Sequence, residues 1–178
     1  IYRPLSLGHR QIRTAYITKG SHHDTLKADL LLTSLNAHSP YEALSYVWGR
    51  DRSVGNLTLN GHSIEITLNL QDALVQLRLP TKDRLIWIDA ICINQEDPKE
   101  RSQQVQLMRE IYSNARRVIV WLGDEALDTQ EHATDLLRTA PSTLKATFDG
   151  IGELLLNRPY WTRLWVVQEV MYAKELVV

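Results

Sequence analysis

A single cysteine, Cys92, is all the chain contains. A lone thiol excludes an intramolecular disulfide and fits a reducing compartment better than a secreted one. No apolar run approaches the ~18 residues that a membrane-spanning helix requires. No signal-peptide pattern opens the chain, so a cytoplasmic location is expected. The chain starts at Ile1 rather than methionine, which leaves room for a preceding segment. Charge of one sign is also lacking: 20 Lys and Arg against 21 Asp and Glu give a formal net charge of -1. A general nucleic-acid binder normally carries a basic excess on one face. The one short basic cluster, Arg116-Arg117, leads into an apolar strand and reads as its solvated start.

Familiar catalytic signatures are missing as well. No G-x-x-x-x-G-K-[ST] occurs. Gly150 and Gly152 begin like a dinucleotide fingerprint, but Leu155 holds the third glycine position and no strand precedes them. His22 and His23 cannot pair with Cys92 at a zinc spacing, and no H-E-x-x-H is present. No G-x-S-x-G elbow exists. Cys92 has no evident histidine to activate it as a nucleophile.

What remains is the pattern of one α/β domain. The 178 residues, 44% hydrophobic, suffice for one core without a disulfide or metal staple. Ile12–Thr18 and Ala28–Ser34 read as an antiparallel strand pair within an N-terminal flank, residues 1–35. Tyr41–Trp48 reads as a strand ending at Gly49. Asn56–Asn60 and His62–Thr67 form a hairpin about Asn60-Gly61, a pair suited to a type I′ turn. Leu70, Ala73, Leu74 and Leu77 give one apolar helix stripe, stopped by Pro80.

Arg84–Ile91 is apolar enough for a strand buried on both faces. Asp97-Pro98 caps a helix bearing Val105, Met108, Ile111, Tyr112 and Ala115 on one side. Arg117–Leu122 is the next strand, ended by Gly123. Helices follow at Ala133–Ala140 and Ile151–Leu156 within a helical insertion, residues 125–157, and then at Leu164–Ala173. Glu175–Val178 starts a further strand, so the native sheet is expected to continue past the last residue. Strands alternating with helices imply a parallel sheet, and ligands in such folds sit beyond the carboxyl ends of the strands.

Four segments in this order resemble the heterokaryon-incompatibility (HET) domain of filamentous fungi: Tyr41-Glu-Ala-Leu-Ser-Tyr-Val-Trp-Gly49, Leu85-Ile-Trp-Ile-Asp-Ala-Ile-Cys-Ile-Asn-Gln95, Arg117-Val-Ile-Val-Trp-Leu-Gly123 and Arg158-Pro-Tyr-Trp-Thr-Arg-Leu-Trp-Val-Val-Gln-Glu169. The resemblance spans roughly Ala28 to Val178. That family in turn looks distantly similar to Toll/interleukin-1-receptor (TIR) domains. Tyr41–Tyr46 stands where a TIR domain has its Tyr-Asp-Ala-Phe-like opening strand. Trp165-Val-Val-Gln-Glu169 stands where it has a Trp-Cys-x-x-Glu helix, with Val166 in place of the cysteine.

The resemblance implies a flavodoxin-like, TIR-like parallel sheet with flanking helices, an antiparallel N-terminal strand pair and a β-hairpin insertion. It also implies a cell-death signalling role, with Glu169 as the catalytic residue for cleaving NAD⁺. In that reading NAD⁺ or a related nucleotide is the substrate and no cofactor or metal is needed. The protein partner is a second copy or another incompatibility protein. The chemistry is consistent: the departing nicotinamide leaves neutral, so one carboxylate beside the ribose suffices, half of the two-carboxylate logic of glycosidases.

Ser45, Tyr46 and Trp48 are candidate contacts to ribose, phosphate or base, with Trp48 able to stack on a ring or pack against the hairpin. Asp89 and Asn94 belong to the loop that gates the site in TIR domains, although a structural hydrogen bond to loop backbone also accounts for Asp89. Arg101 is a candidate phosphate partner, and Trp165 a candidate wall of the site. Glu169 has a bland alternative too, an ion pair with Arg158 or Arg163. Two readings therefore stand: an NAD⁺ glycohydrolase, and a non-enzymatic interaction module of the same fold.

Overall fold

A computed structural model of the chain describes residues 1–6, 10–36, 40–48, 54–123, 169 and 171–178. Eight strands among them form one mixed sheet in the order β5-β4-β2-β1-β6-β3-β7-β8. β1 (Gln11–Ile17) and β2 (Lys27–Ser34) pair antiparallel, from Gln11 opposite Ser34 to Ile17 opposite Ala28. β4 (Val54–Leu59) and β5 (His62–Thr67) form the expected hairpin. Asn60 (φ 50°) and Gly61 (φ 79°) both lie in the left-handed region, as a type I′ turn demands.

The other half is parallel. β3 (Glu42–Tyr46) lies between β6 (Arg84–Trp87) and β7 (Val118–Trp121), and β8 (Leu176–Val177) adds to β7. Taken in chain order, these four strands sit 2-1-3-4 across the sheet, the flavodoxin-like arrangement. After β3 the chain builds β6 on one side and then crosses to β7 on the other. The strand order therefore reverses at β3, and a crevice opens at its carboxyl end.

Three helices are described. α1 (Leu68–Leu77) starts where the Thr67 hydroxyl accepts the Leu70 N–H, and it buries Leu70, Ala73 and Leu74. α3 (Pro98–Asn114) starts at Asp97, whose carboxylate accepts the N–H groups of Lys99 and Glu100. Its Ile111 carbonyl accepts the Tyr41 hydroxyl at 2.6 Å, and its Tyr112 hydroxyl donates to the Leu44 carbonyl at 3.2 Å. Trp87, fully buried, meets Tyr112 edge-to-face with ring centroids 5.5 Å apart.

The structure corrects two boundaries. The apolar run expected to be a strand through Ile91 stops at Trp87, and Asp89–Cys92 is a one-turn helix, α2. The N–H groups of Ile91 and Cys92 turn back to the Ile88 carbonyl, and the Cys92 sulfur accepts the Ile88 N–H. An unbroken apolar run does not distinguish a buried strand from a buried helical turn. The first parallel strand is likewise shorter than Tyr41–Trp48, ending at Tyr46. The helices expected near 133–140 and 151–156, and the insertion 125–157, lie outside the described residues. Of the helix expected over Leu164–Ala173, Glu169 and Met171 are described, and both are helical. No helix among the described residues is long and apolar enough to cross a membrane.

Two ion-pair clusters brace the sheet. At the amino ends of β6, β3 and β7, Glu42 accepts from Arg84 at 2.5 Å and from Arg117 at 2.6 Å. Burial alone would push the Glu42 carboxyl up, but the two guanidiniums outweigh it and hold the carboxyl below the ordinary value. On the other cluster, Arg13 of β1 is buried and grips Glu100 of α3 with two bonds, at 2.5 and 3.0 Å.

Candidate functional site

The carboxyl end of β3 carries two side chains in succession, Ser45 and Tyr46, and strand alternation sends them to opposite faces of the sheet. Ser45 is buried, and its hydroxyl donates a short hydrogen bond to the carboxylate of Glu169, 124 residues further on. Glu169 itself has no exposed surface. A helix residue and a strand-end hydroxyl are thus joined at the point where the strand order reverses.

On the other face, Tyr46 lines a cleft of about 760 Å³. Its walls are the residues following β3 and β6, the hairpin and the N-terminal segment: Trp48, Ala90, Ile91, Asn94 and Gln95 face Ile64, Ile66, Leu70 and Tyr2 across it. Trp48 is 42% exposed and its indole N–H donates to the Asp89 carboxylate at 2.9 Å. The other Asp89 oxygen accepts the Ala90 N–H at 2.7 Å. Asp89 therefore bonds loop backbone, as its sequence setting allowed, and also orients the ring that faces the cleft.

The loop after α2 is held by backbone and carboxylate rather than by solvent. The Gln95 amide donates to the Asp89 carbonyl at 2.9 Å, and the Asn94 N–H donates to Glu100 at 2.7 Å. Glu100 thus turns inward from the first turn of α3 and serves Arg13 and Asn94 together. Arg101, expected to meet phosphate, is exposed and among the described residues donates to the Gln95 carbonyl at 3.4 Å. It does not line the cleft. Its place on α3, one residue beyond the inward-facing Glu100, points it out of the sheet. Trp165 lies outside the described residues.

Two contributors escaped the sequence reading. Asn69, at the start of α1, accepts the Trp121 indole N–H at 2.8 Å and donates to the Val47 carbonyl at 2.6 Å. It ties the ends of β3 and β7 together. The hairpin was read only as a surface for Trp48 to pack against and the N-terminal segment only as a flank, yet they form one side of the cleft. A polar residue opening a helix just after a strand is the one signal that pointed to Asn69.

Electrostatically the cleft favours a neutral or cationic guest. Among its described lining residues none is Lys or Arg, whereas Glu65 and Glu96 are acidic. Aromatic and apolar surface from Trp48, Tyr46, Ile64 and Ile66 suits a flat ring. Among the described residues no group of three or more His, Cys, Asp or Glu side chains is placed to hold a metal ion.

Cys92 lies behind this loop and is fully buried; burial pushes its thiol up to about 12. Native protein is therefore expected to resist maleimide at pH 8 and to label fully only in denaturant. Rapid native labelling would show that the thiol is accessible and ionised. A raised thiol value stabilises the fold below the unfolded value of ~8.5. That contribution declines as pH rises from there towards about 12.

Comparison with known proteins agrees with the motifs. The family model described as heterokaryon incompatibility protein (HET) matches residues 41–169, a span that runs from the residue before β3 to Glu169. Heterokaryon incompatibility protein 6, OR allele, of Neurospora crassa is 39% identical over 127 residues. That alignment covers 64% of this chain but only 18% of the Neurospora protein. No solved structure matches the chain.

Proposed function

We propose, from the premise that the chain belongs to the heterokaryon incompatibility family, that it is an incompatibility-signalling domain that cleaves the nicotinamide–ribose bond of NAD⁺ when copies associate. The observation that carries this reading is the buried Glu169 carboxylate bonded to Ser45 at the carboxyl end of β3. That is where a doubly wound sheet offers its ligand crevice, and where the resemblance to TIR domains puts the catalytic acid.

In the reaction the ribose C1′–nitrogen bond breaks and its electron pair leaves with the nicotinamide. Water then adds to C1′ and releases a proton to solvent. Glu169 stabilises the oxocarbenium-like sugar between these events, the kind of charge complementarity that dominates catalysis. Ser45 and Tyr46 are neighbours at the strand tip, so a dinucleotide crossing that tip reaches both faces. The adenine ring then suits the aromatic cleft at Trp48, while the ribose and its nicotinamide stay beside Glu169. Because Glu169 is covered in the single chain, turnover requires the carboxylate to be uncovered, which makes cleavage conditional on association.

One observation favours a second reading. Glu169 has no exposed surface, which equally suits a structural tie in a non-enzymatic module that transmits the signal by contact alone. Nicotinamide release from NAD⁺, measured on concentrated protein with a crowding agent, separates the two. Wild type is expected to release nicotinamide and Glu169→Ala to lose about 10²–10³-fold or more, the scale of removing a principal electrostatic group. Equal release by both would remove Glu169 from the chemistry. No release by either, with both folded, would leave the interaction module.

A further inference from the structure

Where β4 leaves β2, a strand edge is left open. The two pair only at Lys27–Thr58 and Ala28–Leu59, after which the Asn60–Gly61 turn carries the hairpin away. On this side of β2 the even-numbered backbone groups point outward. The Ala28 carbonyl accepts the Asn60 N–H, and the Leu30 N–H donates to the Asn60 side chain at 2.8 Å. Beyond that point the Leu30 carbonyl, the Leu32 N–H and carbonyl, and the Ser34 N–H have no hydrogen-bond partner among the described residues.

Natural edges are usually blunted by lysine, proline or a bulge, and from Leu30 to Ser34 this one has none of them. Two of its three leucines are exposed instead, Leu31 by 45% and Leu32 by 47%. A groove of about 530 Å³ runs beside it, walled by Ile1 and Arg3 on the N-terminal segment and by Asn60 and His62 at the hairpin turn. Main-chain groups, not side-chain pockets, are what this groove offers, so its guest is an extended strand.

We propose that the guest is β2 of a second copy, paired antiparallel about a twofold axis at Leu32. The unpaired groups are palindromic about that residue. In this register the Leu32 N–H of each copy meets the Leu32 carbonyl of the other, and the Ser34 N–H of each meets the other's Leu30 carbonyl. All four open donors and the four acceptors they face are satisfied. The one group that would spoil the count, the Leu30 N–H, is already taken by Asn60. Leu32 meets its own twin, and Leu31 lies across from Thr33, which gives the self-complementary contact that a twofold interface requires. The register is bounded at one end by the Asn60–Gly61 turn and at the other by the turn at Leu35–Asn36. Pairing this short is expected to be weak and concentration-dependent.

This contact supplies the association that the functional reading invokes. It is tested by mass and not by activity, so either can fail alone. Sedimentation of the wild-type chain is expected to show the mass rising with concentration from 20.5 kDa towards twice that value. Leu32→Lys, which sets two like charges face to face on the axis, is expected to stay monomeric with an unchanged melting temperature.

A second variant covers the case in which the lysine disturbs the fold. In an antiparallel hydrogen-bonded pair, Cα atoms on the axis lie ~5.5 Å apart, within disulfide reach. Leu32→Cys should therefore cross-link to a dimer on mild oxidation, while Leu31→Cys, which faces Thr33 instead of itself, should not. A wild type that remains monomeric throughout, a dimer that persists in folded Leu32→Lys, or equal cross-linking by the two cysteine variants would each overturn the proposal.

Discussion

Glu100→Ala is expected to lower the unfolding free energy by about 3–5 kcal/mol, the usual cost of removing one partner from a buried pair. Arg13 is 1% exposed and holds Glu100 with two bonds. Without that carboxylate the guanidinium stays inside the fold with the Cys92 and Arg3 carbonyls as acceptors. Its Nε already has no partner among the described residues. The same substitution releases the Asn94 N–H, so the loop bordering the cleft loses its anchor as well.

Urea denaturation of Glu100→Ala and Glu100→Gln, set beside the double variant Arg13→Met with Glu100→Leu, separates charge from packing. The glutamine retains an acceptor and is expected to fall between wild type and alanine. The double variant is expected to recover most of the loss, because an apolar pair of similar volume often replaces a buried ion pair without cost. A loss below about 1 kcal/mol for Glu100→Ala, the range of exposed pairs, would mean that the pair is hydrated and not part of the core.

Glu42→Ala is expected to be of similar size and to carry a pH signature. Three strands meet at this carboxylate, which accepts from Arg84 before β6 turns inward and from Arg117 ahead of β7. Its removal leaves two guanidiniums facing each other across β3. Burial pushes the carboxyl up, the arginines pull it down further, and the folded value lies below the ordinary one. A depressed carboxyl stabilises the fold above its unfolded value of ~4.3 and loses that contribution as pH falls through the folded value. The stability gap between wild type and Glu42→Gln should therefore be full at pH 7 and narrow progressively below about pH 4. A gap that does not change with pH would assign the effect of Glu42 to shape instead of charge.

The residues that make local structure were the readable ones. Asn60-Gly61 fixed the hairpin because few other pairs accept two left-handed residues. Asp97-Pro98 and the Leu70–Leu77 stripe placed their helices because caps and a one-sided stripe act within a few positions. What could not be read acts across the chain. Arg13 finds Glu100 across 87 residues, and Glu42 finds Arg117 across 75. Neither pair leaves a local trace.

The site divides along the same line. Tyr46, Trp48 and Asn94 do border one cleft, as their positions at strand ends implied. That Ser45 turns away from them towards Glu169 follows from strand alternation and was available in principle. Arg101 lies outside this cleft, and its side of the helix depended on where Glu100 pointed, which was a tertiary fact. The hairpin joined the cleft wall for a similar reason. Its distance in sequence from Asn94 and Gln95 says nothing of the sheet order that folds it back over them.

The Ser45–Glu169 bond also sets a clock on the ribosome. The strand pair β1–β2 and the hairpin β4–β5 close over short loops and can form as the chain emerges, whereas contacts of large sequence separation come late. Its two members stand 124 positions apart in sequence, so that bond cannot form until Glu169 has been synthesised. At ~5–20 residues per second, the nascent polypeptide spends many seconds with its flanking strands assembled and its strand-end pair still unmade. A truncated product that stops between Trp121 and Glu169 carries seven of the eight described strands but lacks one member of that pair, so such incomplete synthesis yields the strands without a finished site.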